Sequence, residues 1–291
     1  WIDKMQKTMV MEKLIFSGAQ LYVDQNKNDF KVPQKQYCVT LQQIVDEKYL
    51  SDSIFDGVSG NKLDLNTFVK VTNYYNVDKE RYDYKYDISN ECVEQEYTCI
   101  PTTKDMVTVG NVPNGQYNPG DEYICQVSND EFYRFFVLKK QDDSNVKLIM
   151  NKNLGESVTW CEMGENGIVT MPCEANMPKK YLASQTSEWT KITNSGGKIE
   201  LPSGQEIADV LGDKEWTVDA EVSEINGYEW IKINLSEEDP NVPFAYWTST
   251  ATDNSKSAWF VCDFALLSSI STSKIAGVRP VITINVSEIA N

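Results

Sequence analysis

The sequence predicts an α+β chain in two parts. Residues 1–100 read as a long amino-terminal helix leading into a small antiparallel unit, and residues 101–291 as a larger α+β domain rich in antiparallel strands. Three observations predict this. Apolar side chains recur at a helical period over residues 1–26. Short runs that alternate like strands begin at Phe68. Between 88 and 119 the prolines Pro101, Pro113 and Pro119 interrupt the pattern, and the runs beyond them are of a different kind.

In the first helix, Ile2, Met5 and Met9 form one stripe, and Val10, Leu14 and Leu21 a neighbouring one. The chain opens Trp1-Ile2-Asp3-Lys4 with no N-cap, which reads as the continuation of a longer helix. Asn26-Lys27-Asn28-Asp29 is a turn signal. A short second helix is expected over 40–50, with Thr40 as N-cap and Leu41, Ile44 and Val45 on one face. Ser51 to Asp64 reads as a loop. Phe68–Thr72 and Tyr82–Tyr86 read as strands joined through Asn76–Glu80, with the three tyrosines of the second on one face.

In the second part, Tyr123–Val127 and Phe132–Leu138 read as a hairpin around Ser128-Asn129-Asp130, followed by a strand at Val146–Met150. Residues 151–185 read as loop-rich, with a short helix near Met177–Ser184. Ser203 is an N-cap candidate for a helix over Gln205–Leu211. Tyr246–Thr250, Ala258–Phe264 and Gly277–Ile284 are strand-like again.

Composition excludes more than it selects. The formal net charge is −16, and Arg81, Arg134 and Arg279 are the only arginines. Phosphate binding needs clustered basic residues, so no nucleic-acid partner is expected. The chain has no histidine, which removes Ser-His-Asp and Cys-His catalysis and every His-ligated metal. No enzymatic activity is expected.

The order of long helix, turn, Pro33, and the short helix opening Cys38-Val39-Thr40-Leu41-Gln42-Gln43-Ile44 resembles the soluble part of type IV pilins, especially those of Gram-positive bacteria. The resemblance covers about the first third of the chain. It implies a pilin fold, with the long helix packed on an antiparallel sheet. It also implies an upstream membrane-spanning and filament-core segment, so that the full-length protein would be membrane-anchored before assembly. Partners would be other pilin subunits, met through the helix, and a host-surface or cell-cell receptor. A further string, Tyr246-Trp247-Thr248-Ser249-Thr250, then Ser257-Ala258-Trp259-Phe260-Val261, then Gly277-Val278-Arg279-Pro280-Val281, looks like a bacterial surface module similar to C-type-lectin-like and sulfatase-modifying-factor-like folds. A minor pilin displaying an adhesive domain at the cell surface is the function these resemblances imply. The alternatives are a secreted lectin-like module on a pilin-like stalk, or a pseudopilin of a secretion system. A second copy of the pilin fold in the carboxy-terminal part also stays open.

Seven cysteines are the main candidates for chemistry: Cys38, Cys92, Cys99, Cys125, Cys161, Cys173 and Cys262. Three readings stand side by side: disulfides in an oxidising compartment, buried thiols, or a structural zinc. Cys92 and Cys99 flank the junction of the two parts. With Cys38 and Cys125 they are the candidate ligand set for a zinc at that join. Cys161 and Cys173 would be a local pair or inert, and Cys262 a core residue. Carboxylate clusters stand at Glu94–Glu96, Asp142-Asp143 and Glu237-Glu238-Asp239. Asp239-Pro240-Asn241 is similar to the sugar-binding triplet of C-type lectins, but its strand partner is missing. The tryptophans beyond residue 150 read as core rather than as a sugar-stacking surface, and Arg279 as a paired structural arginine.

Overall fold

The computed structural model describes residues 2–57, 59–102, 117–164, 173–213, 216, 228–232, 235, 243–252, 256–262 and 267–290. The chain is α+β with mostly antiparallel sheets and divides into two units, Trp1–Tyr97 and Thr98–Asn291. The sequence sets the division at 100/101. The structure sets it at 97/98, because Cys99–Pro101 is already a strand of the second unit.

In the first unit, helix α1 (Ile2–Gln25) precedes a four-stranded sheet of order β3-β2-β1-β4. Its strands are β1 (Lys35–Thr40), β2 (Phe68–Asn76), β3 (Arg81–Ser89) and β4 (Gln95–Glu96). The sequence reading missed β1, which pairs with both β2 and β4. Its polar opening, Lys35-Gln36, hides the alternation that points Tyr37 and Val39 into the core. That core joins Ile15, Ala19 and Val23 of α1 to Tyr37, Val39, Val69 and Val71 of the sheet.

Thr40 caps α2 (Leu41–Asp46) through a reciprocal box with Gln43. The helix is shorter than expected because Lys48 turns into the left-handed region at φ 65. Strands β2 and β3 pair in register from Phe68↔Ser89 to Asn76↔Arg81. In the turn between them, Asn76 Oδ1 accepts from the backbone N–H groups of Asp78 and Lys79, both at 3.2 Å.

The second unit holds two sheets. The first has order β10-β15-β8-β7-β6-β5. In chain order its strands are β5 (Cys99–Pro101), β6 (Glu122–Gln126), β7 (Phe132–Lys140), β8 (Asn145–Met150), β10 (Lys198–Glu200) and β15 (Val281–Asn285). The other, β13-β12-β11-β14-β9, is built from β9 (Leu154–Thr159), β11 (Ala245–Ala251), β12 (Ser257–Cys262), β13 (Ser268–Ser271) and β14 (Ile275–Val278). Among the described pairings, only β11 with β14 is parallel within a sheet.

Alternate residues along the central strands enter two different cores. Phe135, Val137, Leu148 and Met150 join one cluster, while Phe136, Leu138 and Ile149 join the other. This two-sided burial explains why these segments read as near-continuous apolar runs. The second unit also holds helices α3 (Asn176–Gln185), α4 (Thr190–Asn194), α5 (Gly204–Val210) and α6 (Glu229–Lys232). Ser203 and Glu206 form the expected capping box on α5.

The run Gly277–Ile284 is two strands rather than one. The chain leaves the second sheet at Val278 and enters the first at Val281. Pro280, which has no N–H to give a ladder, stands in the crossing.

Candidate functional site

Helix α1 buries one stripe and presents another. Ile15, Ala19 and Val23, spaced four residues apart, are at most 1% exposed. Val10 (59% exposed), Leu14 (57%) and Leu21 (50%) lie on the far side of the helix. Met9 stands between the two faces, and Met5, five turns before Val23, is exposed in line with the covered stripe. Single exposed leucines are ordinary on protein surfaces. Three large aliphatic side chains at positions i, i+4 and i+11 form a continuous stripe and call for a partner. The stripe Val10-Leu14-Leu21 named from the sequence is therefore an uncovered one. The covered one, Ile15-Ala19-Val23, was not singled out, because an alanine at its centre weakens the period.

Two glycines record how closely α1 is approached on its covered side. A Cβ on Gly18 would lie 2.9 Å from the Tyr49 carbonyl oxygen, at the end of the turn that follows α2. A Cβ on Gly57 would lie 2.4 Å from the Thr8 backbone nitrogen. The loop between α2 and β2 thus lies against the amino-terminal half of α1. A mid-helix glycine such as Gly18 costs helix stability, and close backbone approach is the reason to keep it.

The cysteines pair differently from a zinc site. Cys38 bonds Cys92, Cys99 bonds Cys125, and Cys161 bonds Cys173. The proposed zinc set of Cys38, Cys92, Cys99 and Cys125 is corrected accordingly: its members form two disulfides, and a disulfide sulfur is not the thiolate that zinc requires. Among the described residues no group of three or more acidic or cysteine side chains is placed to hold a metal. Cys262 is a buried thiol in β12.

The other candidates within the described residues resolve as structure. Asp142 accepts from the Ser144 N–H at 2.7 Å and from Asn145, and these hydrogen bonds hold its carboxyl below the usual range. Glu94 pairs with Lys35 at 3.0 Å. Glu237-Glu238-Asp239 and Asp239-Pro240-Asn241 lie outside the described residues. Trp160, Trp189, Trp216, Trp247 and Trp259 are buried.

Arg279 is fully buried and donates to the backbone carbonyls of Met150, Ile231 and Trp230, with its guanidinium 5.0 Å from the centre of the Tyr246 ring. Lys147 donates to both Glu200 and Glu206. Burial works to raise the Glu206 pKa, but the hydrogen bonds from Lys147 and the Ser203 N–H, with the lysine charge, bring it below the usual value.

No helix of the described chain is long and apolar enough to cross a membrane. Three disulfides fit an extracellular or otherwise oxidising compartment. Compared with protein-family models, with curated proteins and with solved structures, the chain matches none.

Proposed function

We propose that this chain is a pilin-like subunit of a bacterial surface filament, a minor pilin in which unit one docks and unit two is displayed. The observation that carries this reading is the outward stripe Val10-Leu14-Leu21 on α1. About 36 Å of helix, at 1.5 Å per residue, lies along a small unit that covers only one of its sides. An apolar stripe of about 16 Å, from Val10 to Leu21, gains most by packing on a parallel stripe of a neighbouring helix. A long helix, a capped short helix set between β1 and β2, and one antiparallel sheet are the parts the pilin resemblance calls for. The acidic balance suits a displayed, soluble surface. The task is assembly and display, not catalysis.

The test is incorporation. Val10→Glu and Leu14→Glu together should leave the fold intact, since both side chains are exposed, yet abolish immunogold labelling of filaments by antibody to this chain. Labelling that persists with both charges in place would defeat the proposal. A wild-type chain that never labels filaments would do the same.

A further inference from the structure

The two units are joined by one covalent crossing, the Tyr97–Thr98 peptide bond, and a disulfide stands on each side of it. On the unit-one side, Val93 to Tyr97 lie along the start of β1. Gln36 pairs with Gln95 and Lys35 with Glu96, the Tyr97 N–H donates to the Gln34 carbonyl at 2.7 Å, and Gln36 Nε2 donates to the Val93 carbonyl. Immediately behind this short zipper, Cys92 is bonded to Cys38 of β1 itself.

On the unit-two side the chain enters at Thr98 and is fixed at once. Cys99 stands directly opposite Cys125 in the ladder and is bonded to it. The entry also pairs with the end of the chain. Cys99 and Ile289 form a parallel bridge, the Thr98 N–H donates to the Glu288 carbonyl at 2.8 Å, and the Ala290 N–H donates to the Cys99 carbonyl at 2.9 Å. Parallel entry and exit segments pulled in opposite directions are loaded in shear, so several hydrogen bonds must fail together rather than one after another.

We propose that these two disulfides form a mechanical stop around the crossing. Tension along the chain peels β4 from β1, releases the six residues Val93–Thr98, and then meets covalent bonds on both sides. The yielding length is about 20 Å at 3.3–3.6 Å per residue. Behind Cys92, the 54-residue separation to Cys38 shields β2 and β3. Behind Cys99, the 26-residue separation to Cys125 shields the β5–β6 edge. The physiological use of such a stop, holding a displayed domain on a pulled fibre, rests on the filament reading. The stop itself does not.

The experiment is single-molecule pulling of the full chain between terminal handles, oxidised and then with dithiothreitol. Reduction of Cys38–Cys92 should add about 180–190 Å of contour length, and reduction of Cys99–Cys125 about 90 Å. Cys38→Ser/Cys92→Ser and Cys99→Ser/Cys125→Ser assign the two increments. The second pair should also lower the force at which unit two opens. Should a serine pair not fold, the reductant comparison on the wild-type chain gives the sum of the two increments, with about 40 Å more from Cys161–Cys173. Equal contour lengths with and without reductant would overturn the proposal, as would an opening force for unit two unchanged by loss of Cys99–Cys125. A chain that gives both increments but is absent from filaments keeps the stop and loses the filament reading.

Discussion

Arg279 carries a full charge where no water reaches it, and no carboxylate among its described contacts neutralises it. Three backbone carbonyls and the face of Tyr246 take that place, and they come from β8, α6 and β11. The side chain thus ties together both sheets at the point where the chain crosses between them. Arg279→Met should leave those carbonyls without a donor and lower unfolding free energy by about 3 kcal/mol in urea titration. A loss under about 1 kcal/mol would contradict the role. Arg279→Lys should recover little, because one ammonium cannot reproduce the planar fork. Burial, partly offset by Arg279, pushes the Tyr246 hydroxyl up to about 12, and burial raises Tyr86 and Tyr123 as well. A raised tyrosine pKa favours folding while the unfolded group is still protonated. Stability should therefore be level up to about pH 10 and fall as pH climbs toward 12. Denaturant midpoints taken across that window check the sign, and a midpoint that rises above pH 10 would refute it. The sequence showed that Arg279 is structural, since a charge inside an apolar run must be compensated. It did not show that the compensation is carbonyl rather than carboxylate, because three distant segments supply it.

Helix α1 is where sequence and structure divide most usefully. The apolar period was legible, but which side faces the sheet was not. Val10, Leu14 and Leu21 are larger and more apolar than the Ala19 at the centre of the buried stripe, so hydropathy alone points outward. Gly18 was the signal that could have corrected this, as a glycine inside a helix marks close approach. Two substitutions separate the faces. Ile15→Ala should destabilise unit one by about 2–4 kcal/mol through cavity formation, whereas Leu14→Ser should change stability by no more than about 0.5 kcal/mol. Gly18→Ala ordinarily strengthens a helix by about 1 kcal/mol. Here it should weaken the unit instead, because the new methyl meets the Tyr49 carbonyl. Thermal melts with a raised midpoint for Gly18→Ala would show that the contact gives way easily. The capped helices α2 and α5 were read correctly at their starts, since Thr40 and Ser203 act locally through Gln43 and Glu206. Strands β1 and β9 were missed because each is specified by long-range pairing, to β2 and β14, rather than by its own residues.

For the whole molecule, the cysteines decide the chemistry. Seven cysteines without histidine left zinc, thiols and disulfides equally open in sequence, since spacing fixes no connectivity. The fold resolves them by register: Cys99 falls opposite Cys125 on paired strands, and Cys38 on β1 lies beside the segment that follows β3. Breaking Cys38–Cys92 by a double serine substitution should cost about 2–5 kcal/mol, read in denaturant on the intact chain. The lectin-like string lies in strands β11 and β12 and at the Arg279 crossing, where Trp247 and Trp259 are core residues as their strand pattern suggests. The account as a whole depends on what α1 meets with its outward stripe. Leu14→Cys, the only maleimide-reactive position expected on that face, measures this directly when labelled on the purified chain and on filaments from producing cells. Rapid labelling of the purified chain with strong protection in filaments is the predicted result; equal labelling in both states would contradict docking through α1.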